Sequence, residues 1–131
     1  MDLLHFLLDG EPYALRLDAV ADVTRAGAIQ PVPLSPPAVK GLAERRGRPI
    51  AVIDLPRLLG GGGGADRAGA HLIRLARPLD GTALYVPAEV FSGEGRPAAG
   101  AGAPEDQVFI DGRAHVLLDP EALVRRAAAF V

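Results

Sequence analysis

AVKGLAERRGRPIAVIDLPRLLG, residues 38–60, decides the fold class. Residues 38–45 run into a charged turn at Arg46-Gly47-Arg48, and Pro49 to Leu55 follow as an apolar, largely β-branched return. Two such runs around a glycine turn predict a β-hairpin whose return strand is buried. Asp54 stands directly before Leu55, Leu58 and Leu59, where a carboxylate caps the free amides of a short helix. Gly60 to Gly64 end that helix, and five glycines in a row predict a flexible linker.

The same plan extends in both directions. Upstream, LLHFLL at 3–8 and YALRL at 13–17 flank Asp9-Gly10-Glu11-Pro12, a second hairpin, and Asp18 before AVADV predicts a capped helical turn. Pro31, Pro33, Pro36 and Pro37 make 31–37 an extended connector. Downstream, HLIRLA at 71–76 and TALYV at 82–86 surround Asp80-Gly81, while VFI at 108–110 and RAHVLL at 113–118 surround Asp111-Gly112, the strongest turn dipeptide in the chain. Between them, 92–106 is poor in bulky residues and is expected to separate the hairpins. Asp119-Pro120-Glu121 then opens a C-terminal helix, EALVRRAAAF.

Asp54 and Asp119 stand 65 residues apart, as do Gly47 and Gly112, so the chain repeats one unit of hairpin, connector, hairpin and capped helix. The expected fold is therefore mainly β: two small β-barrels or curled sheets packed side by side, with short helices and a helix at the C-terminus. It forms one domain, with subdomain-like halves at about 1–60 and 70–131 joined by the linker 60–64.

The chemistry is sparse. The 131 residues contain no cysteine, which excludes disulfides, thiolate nucleophiles and cysteine-held metals. A net charge of −2 gives no field for nucleic acid. No apolar run approaches the length of a membrane span, and Asp2 stands where a signal peptide needs positive charge, so a cytoplasmic protein is expected. His5, His71 and His115 lie in strand-like segments without ligand spacing and are expected to pack. Gly60 to Gly64 is followed by Ala65-Asp66, not by the Gly-Lys-Ser/Thr of a phosphate loop. Asp54 and Asp119 are explained as caps without invoking a catalytic carboxylate pair. No enzyme and no cofactor are expected. Arg45, Arg46 and Arg48 are either a solvated hairpin tip or a recognition surface for carboxylates or carbonyls on another protein.

The segment 39–60 resembles the CheW family of chemotaxis adaptors. Gly41, Arg46, Gly47, Ile50, Val52, Ile53, Asp54 and Leu55 match the family's pattern in register, and FLLDGEPYALRLDAVADV at 6–23 is similar to its opening hairpin. Glu44 and Arg45 replace a neutral amide and an apolar residue, and Val86-Pro87-Ala88-Glu89 departs from the usual Val-Asp-x-Val. The resemblance implies SH3-like barrel subdomains and a non-catalytic scaffold between the cytoplasmic tip of methyl-accepting receptors and the regulatory domain of a CheA-type histidine kinase. It also implies a receptor-facing region at Arg46 and Gly47, with Val39, Gly41, Glu44 and Arg45 as neighbours. The thin stretch 92–104 leads us to expect that the kinase is held weakly or not at all, as in an accessory adaptor that binds only the receptor. A small-molecule-binding β-barrel is the alternative outside this class.

Overall fold

Three turns in which both central residues have positive φ organise the chain: Asp9-Gly10 (50° and 80°), Arg46-Gly47 (51° and 78°) and Asp111-Gly112 (51° and 78°). These are the type I′ turns whose twist matches that of antiparallel strands. The computed structural model describes residues 1–61, 68–98 and 106–129, so most of the expected linker at 60–64 lies outside the described residues. The first turn joins β1 (Asp2–Leu8) to β2 (Glu11–Arg16). The second joins β4 (Val39–Arg45) to β5 (Arg48–Asp54), and the third β10 (Gln107–Ile110) to β11 (Arg113–Leu117).

Five further strands complete two sheets: β3 (Val20–Arg25), β6 (His71–Leu75), β7 (Thr82–Val86), β8 (Phe91–Glu94) and β9 (Arg96–Pro97). One sheet runs β8-β1-β2-β11-β10-β9 and the other β3-β6-β7-β5-β4. The strands β8 and β9 are the two edges of the first sheet yet are consecutive in the chain, so that sheet curls until its edges meet at Gly95. In the second sheet a bridge between Gln30 and Leu42 ties the connector back onto β4. The expected all-β body of two curled sheets with a C-terminal helix is what forms.

The central strands β5 and β7 are buried on both faces, by different neighbours. In β7, Leu84 and Val86 join a cluster with Leu4, Phe6, Leu15, Ile53, Ile73 and Leu75, which is the core shared between the sheets. Ala83 and Tyr85 alternate with them and face Ile50, Val52 and Leu72 inside their own curl. The first sheet has its own inner cluster of Leu3, Ala14, Val108 and Ile110. Two helices, α1 (Leu55–Leu58) and α2 (Pro120–Ala127), pack on each other and seal the shared core with Leu55, Leu58, Leu123 and Ala127.

Four sequence expectations are corrected. Residues 20–25 are a strand: the helical turn stops at Leu17–Ala19, because the register with β6 recruits the β-branched Val20, Val23 and Thr24. Asp80-Gly81 is only the end of a six-residue connection from Ala76 to Gly81. The stretch 92–106 contains β8 and β9, not merely a separator. Finally, strand pairing does not follow the halves 1–60 and 70–131: β1 pairs with β8, β2 with β11, β3 with β6 and β5 with β7.

Candidate functional site

The β4–β5 hairpin tip carries the site. Arg45 pairs with Arg48 as the last rung, which leaves Arg46 and Gly47 as an exposed two-residue loop. Alternation along β4 then sends side chains to opposite sides. Leu42 and Glu44 face outward, whereas Gly41, Ala43 and Arg45 face into the curl. Arg45 therefore stands on the inner face where the family pattern has an apolar residue.

A carboxylate on the opposite edge strand compensates that exchange. Asp22 Oδ2 on β3 accepts from Arg74 Nη2 at 2.7 Å and Nε at 3.0 Å, and from Arg45 Nη2 at 3.4 Å. Burial pushes the Asp22 carboxyl up, but the hydrogen bond and charge of Arg74, with Arg45 behind them, outweigh it and hold it below the usual carboxylate range. The same bond raises Arg74. Arg45 reaches across the seam between the two edge strands of the second sheet, so this ion pair also closes the curl.

Two open concavities flank the tip. On the outer side a groove of about 680 Å³ is lined by Pro31, Val32, Pro33, Leu42 and Pro49, with Glu44 and Gly47 at its rim. Beside it Leu34 is 95% exposed at φ 63°, a bulky side chain held in solvent on a left-handed backbone. On the other side the mouth of the curl, about 630 Å³, gathers Arg45, Arg46, Arg48, Arg74 and Arg77.

The structure thus brings Arg45, Arg46, Gly47 and Glu44 together, and separates Val39 and Gly41 from them. Six residues of strand put Val39 roughly 20 Å from Arg45. Val39 is half-buried opposite Ile53 and donates its amide to Pro36 O at 2.9 Å. Gly41 is buried at a bulge, and a Cβ there would collide with the carbonyl of Gln30. Its role is to let the connector approach β4. Sequence reasoning missed Asp22, Arg74 and Arg77, because nothing local marks partners 52 residues apart.

The two capping aspartates behave differently. Asp119 Oδ1 accepts from Glu121 N–H at 3.1 Å, an N-cap for α2. Asp54 makes no side-chain cap bond to α1. This is a correction: the residue is only 6% exposed, pairs in register with Tyr85 on β7, and its amide donates to Ala38 O at 2.8 Å. The histidines pack. His71 and His115 each donate Nδ1–H to a carbonyl, Ala88 O and Arg113 O, at 2.9 Å, and His5 stacks on Phe91. Among the described residues, no three His, Asp or Glu side chains converge to hold a metal.

No curated protein matches the sequence. Among solved structures, the scaffolding protein TtCheW from Thermoanaerobacter tengcongensis superposes with a TM-score of 0.73 at 22% identity, over 93% of this chain and 86% of that one. The family model of the CheW-like domain matches residues 2–86, which include β1–β7 and the whole candidate site. By that match the chain belongs to the family of CheW-like domains.

Proposed function

We propose that this chain is a non-catalytic adaptor of chemotaxis-type signalling in the cytoplasm, with the β4–β5 tip and its outer groove as its receptor-facing surface. The observation that carries the reading is Arg46. It is exposed, at φ 51°, in a turn position that Asp9 and Asp111 fill in the two sister turns. A left-handed arginine costs about 1 kcal/mol against Gly, and no hydrogen bond or ion pair among the described residues offsets it. A side chain kept at such a cost serves something outside the fold. Its planar donor fork suits carboxylates and carbonyls at a protein interface, and the next residue, Gly47, borders an apolar groove that supplies buried area.

The partner on this side is the cytoplasmic tip of a methyl-accepting receptor, and the second partner is the regulatory domain of a CheA-type kinase. The kinase is the weaker of the two, since SGEGRPAAGAGAP at 92–104 brings no bulky side chain to a second docking face. The inner faces of both curls are filled by apolar side chains, which speaks against a small-molecule barrel. Among the described residues no helix is long and apolar enough to cross a membrane. Titration calorimetry of the full chain against a receptor cytoplasmic fragment and, separately, the kinase regulatory domain tests the reading. Binding to the receptor fragment, tighter than to the kinase, is expected. Binding to the kinase alone would overturn the assignment of surfaces, and binding to neither would overturn the adaptor.

A further inference from the structure

The arginine mouth of the second sheet holds more positive charge than the fold uses. Five guanidiniums line it, and its carboxylates are Asp80 in the wall and Asp22, which Arg74 and Arg45 share. Three cations are left over, in a chain whose net charge is −2. Arg46, Arg48 and Arg77 make no ion pair among the described residues. Arg45 Nε is buried at this mouth without a hydrogen-bond acceptor. The cations also come from two sides: Arg45, Arg46 and Arg48 from the β4–β5 tip, Arg74 and Arg77 from β6 and the connection after it. Ala21, Pro49, Ile50 and Ala76 supply an apolar floor between them.

We propose that this mouth is a docking site for an acidic segment of a protein partner, in which carboxylate side chains flank an apolar one. Guanidinium forks pair bidentately with carboxylates, and two opposed sets of them fix the direction of a segment lying across. The apolar floor accepts the central side chain, whereas a small, fully hydrated phosphate has no use for it. The lining contains no aromatic side chain on which a nucleotide base would stack. Charge complementarity of this kind sets the encounter rate and the choice of partner. The proposal deepens the adaptor reading by giving the chemistry of what the tip meets, and depends on that reading only for the partner's identity.

The test uses the full chain and a fluorescein-labelled pentapeptide of four glutamates around a central leucine, with inorganic tripolyphosphate as the comparison. Anisotropy titrations at low salt are expected to show peptide binding that weakens several-fold at 0.3 M salt. Amide shift changes in labelled protein are expected at the β4–β5 tip and at 74–81. Combining Arg48→Glu with Arg77→Glu should weaken the peptide by tenfold or more. The same charge reversal at Arg96 and Arg125, exposed on β9 and α2, should leave it within twofold. Equal loss in both variants, shift changes confined elsewhere, or binding of tripolyphosphate without the peptide would each overturn the proposal. The receptor-fragment titration is run on the same variants. A peptide that binds where the receptor fragment does not would leave the acidic-segment site standing and remove the receptor reading alone.

Discussion

At φ 51° Arg46 occupies backbone that suits Asn, Asp or Gly, and the consequence is measurable on two independent axes. Arg46→Asn is expected to raise stability by about 0.5–1 kcal/mol, because it relieves the turn, while weakening the receptor fragment about tenfold. Denaturant melts and calorimetry on one variant check both. A loss of stability would make Arg46 a brace of the hairpin and not a contact. Asp22 gives the complementary case of a side chain that the fold does need. Its carboxyl is held below the ordinary range, so its contribution is present above the unfolded value near pH 4 and is lost as pH falls through the lower folded value. Asp22→Asn should cost about 1–3 kcal/mol at pH 7, and the gap to the parent should narrow as the pH is taken below about 4. A gap independent of pH would remove the ion pair from the explanation. Arg46 was legible in the sequence through its neighbours Arg45, Gly47 and Arg48. Asp22 was not, since only the pairing of β3 with β6 brings Arg74 opposite it.

The three hairpins with type I′ turns formed as expected, whereas β3 reads as a helical turn in the sequence and the strands built on glycine stayed hidden. The strands β8 and β9 carry no apolar pattern, because their work is to close a curl in which backbones approach closely. A Cβ at Gly95 would lie 2.5 Å from Leu3 Cδ1 and 2.9 Å from Phe109 O, contacts that a rigid strand cannot yield. Gly95→Ala is therefore expected to destabilise by about 2–4 kcal/mol. Gly93→Ala, whose nearest obstacle is the His5 ring at 3.3 Å, should cost less than about 1 kcal/mol. Thermal melts of the two variants compare them directly, and equal losses would refute the closing role of Gly95. The capping aspartates divide in the same manner. Both precede Leu-rich or Ala-rich helical turns in the sequence, but Asp54 is buried in register with Tyr85 and makes no cap bond, whereas Asp119 accepts from Glu121 N–H. Asp119→Ala should cost about 1 kcal/mol, or about 3–5 °C in melting temperature. A melting temperature unchanged within 1 °C would show that the 3.1 Å bond to Glu121 contributes nothing.

For the whole molecule, the duplication that the sequence displays and the two sheets that the chain builds are different partitions of the same strands. The repeat pairs 1–60 with 70–131, yet the first sheet draws β1 and β2 from one half and β8 to β11 from the other, while the second draws β3, β4 and β5 from one and β6 and β7 from the other. A repeat read from turn dipeptides and capping residues carries no information about exchange of strands, since hairpins are local and the parallel pairings of β2 with β11 and β5 with β7 are not. The physical consequence concerns cooperativity. A fragment ending at residue 60 would leave β2 without β11, β3 without β6 and β5 without β7, and would expose Phe6, Leu15 and Ile53 of the shared core. Neither fragment 1–60 nor 70–131 is therefore expected to fold alone, and circular dichroism should show each without a cooperative melt. Mixed at micromolar concentration, they are expected to recover the native spectrum, because every broken pairing is then restored and only the covalent joint is missing. The intact chain should unfold in one transition, with calorimetric and van't Hoff enthalpies equal. Two resolved transitions, or a cooperative melt in an isolated half, would show that the halves are folding units after all and that the sheets are assembled from preformed parts.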